Sequence, residues 1–122
     1  MASSIGTQAD FSMHSGDTRR LEITIVDENS AAVNLSTATI TWALSKKDSA
    51  SVAPKGSALL TKTLANGGIT IVSAAAGRCD VDLASSDTVT FSGDYYHELE
   101  LTILATVSTV LYGAVTIIKD LI

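Results

Sequence analysis

Cysteine occurs once in this chain, proline once and histidine twice, and each scarcity closes off a class of protein. The lone thiol, Cys79, forms no internal bridge, so the chain has no disulfide framework of the kind small secreted domains rely on. No apolar run approaches the roughly 20 residues that a membrane helix requires. The opening Met1-Ala-Ser-Ser-Ile-Gly-Thr7 lacks the basic and apolar regions of a signal peptide, so synthesis in a cytoplasm is expected. Basic residues are also sparse: eight against thirteen acidic ones, for a net charge of −5. Only Arg19-Arg20 and Lys46-Lys47 are adjacent pairs. Nucleic-acid binding needs a concentrated positive footprint, so neither nucleic acid nor membrane is expected as a partner.

Helical periodicity is nearly absent as well, and period-two segments recur in its place. A chain of 122 residues makes one domain, large enough to bury about two-thirds of its unfolded surface. Gln8 to Met13 forms a short first strand. Thr18 to Val26 points Leu21, Ile23 and Ile25 inward and Arg20, Glu22 and Thr24 outward. Ala38 to Ser45 places Ile40, Trp42 and Leu44 on one face, with Trp42 as the central core indole. Lys46 to Gly56, which holds the one proline, reads as a loop. Strands follow at Ser57–Thr63, Ile69–Val72 and Arg78–Leu83, and Asn66-Gly67-Gly68 supplies a turn between the first two. Asp87 to Phe91 then leads through Ser92-Gly93 into a terminal hairpin. The expected fold is all-β, an immunoglobulin-like antiparallel β-sandwich of seven to eight strands spanning 17–122. Residues 1–16, rich in small polar side chains, are expected to be a flexible N-terminal arm.

The hairpin carries the main functional clue. Its first strand alternates, with Leu99, Leu101 and Ile103 facing away from Glu98, Glu100 and Thr102. Its second strand does not: Val110, Tyr112, Ala114 and Ile118 form one apolar face, and Leu111, Val115 and Ile117 form another. A strand apolar on both faces is buried on both, and a two-layer sandwich covers only one. The candidate partner surface is therefore Val110, Tyr112, Ala114 and Ile118, extended by Leu121 and Ile122. The bland alternative is that a loop of the chain itself, such as Lys46 to Gly56, covers that face.

Residues able to do chemistry are few and dispersed. His97 shares a face with Tyr95 and Leu99 while Glu98 and Glu100 point the other way, so it reads as a core or rim histidine bonded to backbone. Cys79 shares a face with Val81 and Leu83 and reads as a small hydrophobe. Asp80 and Asp82 share an outward face and read as solvated, since calcium wants oxygens converging from a loop. No catalytic, cofactor or metal residue is nominated, and no small-molecule substrate is expected.

Several motifs in order also resemble a known family. They are Gly16-Asp17-Thr18, Ala38-Thr-Ile-Thr-Trp-Ala-Leu44, Lys62-Thr63 before Gly68-Ile-Thr-Ile71, and Gly77-Arg78 before Val81-Asp82-Leu83. They continue with Asp87-Thr88, Gly93-Asp-Tyr-Tyr-His-Glu-Leu99, and Val110-Leu-Tyr-Gly113 before Thr116-Ile117. Together they resemble the N-terminal domain family of phage baseplate upper proteins and the short immunoglobulin-like phage virion proteins. The resemblance implies a non-enzymatic, multi-copy tail or baseplate module. Its partners would be other virion proteins and copies of itself, and its place the virion after synthesis in a host cytoplasm. Decoration of the capsid on the head shell is the alternative, and a carbohydrate- or receptor-binding sandwich is the alternative of another class.

Overall fold

Two sheets pack face to face in a computed structural model that describes residues 7–122. Among the described residues there are nine strands: β1 (Thr7–Gln8), β2 (Phe11–His14), β3 (Arg19–Thr24), β4 (Thr39–Lys47), β5 (Pro54–Thr63), β6 (Ile69–Ser73), β7 (Arg78–Leu83), β8 (Gly93–Ile103) and β9 (Thr106–Ile118). A single helical turn, α1 (Ser85–Thr88), separates β7 from β8. The larger sheet runs β1-β9-β8-β4-β5, with β2 also pairing β9, and the smaller runs β3-β7-β6. The protein is thus an all-β sandwich whose chain passes repeatedly between layers.

Period-two patterning explains the core. Ile40, Trp42 and Leu44 of β4 meet Leu99 and Leu101 of β8, all at most 1% exposed. Cys79, Val81 and Leu83 of β7 close over them from the small sheet, joined by Ile25, Val33 and Leu35 from the β3–β4 connection. Burying such side chains, at roughly 1.5–3 kcal/mol each, is the main force holding the layers together. Tyr95 adds a local tie at the start of β8, where its hydroxyl accepts from Ser92 N at 3.2 Å and lies 3.3 Å from Ser92 O.

Loop and strand ends differ from the expectation in three places. Pro54 opens β5 opposite Lys47, and proline is tolerated there as the first residue of an edge strand. Ser85–Thr88 is helical because Asp87 reaches back to accept from Ala84 N at 2.7 Å. The same carboxylate takes Lys62 Nζ at 2.7 Å, with both side chains about 15% exposed, and so ties β5 to α1.

The third difference concerns the expected flexible arm. Residues 1–6 lie outside the described residues, but Thr7–Gln8 and Phe11–His14 are strands, and Met13 is 6% exposed within the core. Both strands run parallel to β9, pairing Thr7 with Leu111 and His14 with Ile118. The domain therefore includes the segment from Thr7 onward, a parallel strap on an otherwise antiparallel sheet. Period-two patterning over so few residues is weak, and the strap gains its order from pairing far along the chain.

A kink at Ala9-Asp10 divides β1 from β2 and sets how the strap is held. Ala9 N donates to Tyr112 O at 2.7 Å, and Asp10 Oδ1 accepts from Ala114 N at 2.9 Å in place of a strand carbonyl. Gly113 permits this approach, since a Cβ there would lie 2.2 Å from Ala9 O. Gly113→Ala should therefore destabilise the protein by about 1–3 kcal/mol, as overpacking against backbone does. Urea unfolding followed by Trp42 fluorescence would measure the drop in midpoint.

Candidate interaction surface

The six residues nominated for a partner surface do not share one face. A β-bulge separates them: Leu99 pairs with Leu111, but Glu100 pairs with Thr109, which leaves Val110 as the extra residue of β9. An inserted residue shifts side-chain parity by one. Val110 consequently turns inward, 7% exposed, and belongs to the core cluster. Its assignment to the outer face is corrected on that ground, and the failed alternation of β9 is partly the signature of this bulge.

Tyr112 and Ala114 do face outward, opposite Glu98 and Tyr96 of β8, and are half-buried. Ile118 is 44% exposed at the end of β9, and Leu121 and Ile122 are fully exposed beyond it. Ile122 lines a shallow depression with Val89, itself 62% exposed, and with Ser15, Ser85 and Lys119. Exposed apolar side chains thus stand at the end of the sandwich where β9 finishes, and Ile122 and Val89 share one depression there. Val89 was not foreseen, because as a single apolar residue after a helical turn it carries no periodic signal.

Part of the outer face of the large sheet is covered by the chain itself. Between the pairs Leu44–Leu60 and Lys46–Lys55, strand β5 carries several residues against the single Ser45 of β4. The resulting bow places Pro54, Gly56 and Ala58 beside Ala43, Tyr96 and Glu98. Tyr96 and Ser45 are buried there at 8% and 5% exposure. Burial, aided by the Glu98 charge, pushes the Tyr96 phenol up to about 12. Tyr112 lies outside that bow, so the self-covered and open parts of the face divide between β4–β8 and β9.

Of the candidate chemical residues, His97, Asp80 and Asp82 have polar partners and Cys79 is a free, buried thiol. His97 is 2% exposed. Its Nδ1 accepts from Trp42 Nε1 at 3.0 Å and its Nε2 donates to Ala9 O at 2.6 Å. Phe11 packs edge-on against the ring with centroids 5.1 Å apart. Burial holds the imidazole below its usual pKa, opposed by the Ala9 carbonyl and the Asp10 charge. Both nitrogens are occupied, so the ring is a structural connector, as its face on the strand suggested. Asp80 and Asp82 flank Arg20, whose Nε lies 3.7 Å from Asp80 Oδ2 and 2.7 Å from Asp82 Oδ1. That cross-strand pairing is invisible in β7 alone. Trp42, Tyr95 and Tyr96, at 0%, 3% and 8% exposure, offer no aromatic platform for a sugar ring.

Cys79 is 1% exposed, and burial followed by the Asp80 charge pushes its thiol up to about 11. Thiolate is the reacting form. The folded protein should therefore resist a thiol-specific disulfide reagent at pH 8, and should react within seconds once unfolded in urea. Val110→Ala should cost about 2 kcal/mol, from two lost methyl groups and the cavity they leave. Tyr112→Ala, with its side chain half in solvent, should cost less. Paired thermal melts would check the order.

No protein-family model matches the chain, and no curated protein matches its sequence.

Proposed function

We propose that this protein is a non-enzymatic structural component of a bacteriophage virion, present in many copies as a tail or baseplate module. Capsid decoration on the head shell is the alternative placement. The observation that carries the reading is the apolar end of the sandwich. There Ile118, Leu121 and Ile122 are exposed, Ile122 lines a depression with Val89, and Tyr112 and Ala114 lie half-buried further back on the outer face of β9. Clustered exposed apolar side chains mark contact surfaces, and apolar centres with tyrosine typify them. The resemblance of the ordered run of motifs to phage baseplate upper proteins is what suggests the viral setting. The two hydrogen bonds that occupy His97 and the burial of the Cys79 thiol support a role in contact over one in catalysis. The partners under this reading are other virion proteins and copies of the chain itself.

Mass spectrometry of separated heads and tails tests the reading directly. The protein is expected in purified particles, enriched in the tail fraction, and its absence from both fractions would overturn the proposal. Enrichment in heads would select the decoration alternative. A double variant, Ile118→Asp with Leu121→Ser, should keep the wild-type melting temperature because both side chains are exposed. It should enter particles several-fold less well.

A further inference from the structure

We infer that the N-terminal strap is a pH-sensitive element: His97 clamps β1–β2 onto β9 only while its imidazole is neutral, and mild acid releases the strap. The geometry dictates the charge state. Nδ1 accepts from the Trp42 indole N–H at 3.0 Å, so a proton added at Nδ1 would set two N–H groups against each other inside the core. Nε2 already carries the hydrogen donated to Ala9 O. Trp42, being donor only, has no second tautomer to offer. The ring can therefore take up a proton only by leaving this site, and leaving it frees the Ala9 carbonyl that anchors the strap's kink.

The groups around the ring do not relieve that conflict. From the strap, Asp10 brings a negative charge, but its Oδ1 is committed to Ala114 N at 2.9 Å. From β3, Arg19, Arg20 and Glu22 line the small cavity beside the ring. Arg19 also lies over the Phe11 ring at 5.1 Å and donates to Ser12 O at 3.2 Å, a second tether on the strap. Trp42 and Leu44 face the ring from β4 and Gly113 from β9, none of them ionisable. Within β8, Glu98 points to the opposite face.

The sign follows from proton counts. The released strap leaves His97 near its ordinary pKa of about 6.5, whereas the docked state holds it lower. The open state thus binds more protons below about pH 6.5, and strap stability falls as pH falls. The open-to-docked ratio rises up to about tenfold per pH unit until the docked pKa is reached. Above about pH 6.5 both states are neutral at His97 and the clamp is at full strength.

Hydrogen exchange by mass spectrometry on the full chain, from pH 7.5 to 5.0 and corrected for intrinsic exchange chemistry, reads the effect. Protection of residues 7–16 should fall up to tenfold per pH unit below about 6.5, while β4 and β8 keep theirs. His97→Gln supplies an amide that can accept from Trp42 and donate to Ala9, and its strap should show a flat profile. Trp42→Phe removes the opposing N–H donor, so the docked ring can take up a proton in place and the profile should flatten. A flat wild-type profile would overturn the inference. So would a His97→Gln profile with the wild-type slope, or loss of β4 and β8 protection in step with the strap. Should His97→Gln fail to fold, a Trp42→Phe profile with the wild-type slope would overturn it as well.

Discussion

A chain of two hydrogen bonds, from the Trp42 indole through the His97 ring to the Ala9 carbonyl, ties the N-terminal strap to the core of this molecule. An indole N–H and an imidazole at the centre of a core are costly unless every polar atom finds a partner. Neighbouring strands cannot supply one, because their carbonyls are spent in the ladder. The kink at Ala9-Asp10 releases a carbonyl for the ring. Asp10 then replaces it as acceptor for Ala114, and Gly113 leaves room for the approach. Among the described residues no buried side-chain polar atom lacks a partner. The polar chain specifies register where apolar packing alone would allow the strap to slip.

With its edge paired by the strap, β9 becomes an interior strand of the large sheet, and its two faces meet different fates. The inner face, with Val110 added by the bulge, joins the common core. The outer face is sheltered by the bow of β5 near Tyr96 and left open towards Ile118. The apolar surplus that the sequence places on this strand is thereby divided three ways, into bulge, self-cover and exposed end. Only the open part is available to a partner, at the end of β9 and on the half-buried outer face around Tyr112 and Ala114.

Strand positions were legible in the sequence wherever apolar residues alternate over five or more positions. Ile40-Trp42-Leu44, Leu99-Leu101 and Cys79-Val81-Leu83 each point inward as their spacing requires. The core role of His97 and the inert placement of Cys79 followed from the same parity, because side-chain direction in a strand is set by the backbone itself. The division into two sheets was legible only as a class, since alternation states that a face is buried without naming what buries it.

Tertiary structure alone decided the strap, the bulge and the pairings. Parallel pairing of residues 7–14 with 111–118 joins segments about a hundred positions apart, and nothing local in either encodes that choice. Val110 inverted its expected face because a bulge is a property of two strands in register, and one strand read alone has no register. Arg20 between Asp80 and Asp82, and Lys62 on Asp87, likewise exist only once cross-strand and cross-layer distances are set. The sequence by itself determined which side chains must leave water; the folded chain determined which backbone groups those side chains would meet, because hydrogen-bond partners are matters of position in space and not of order along the chain.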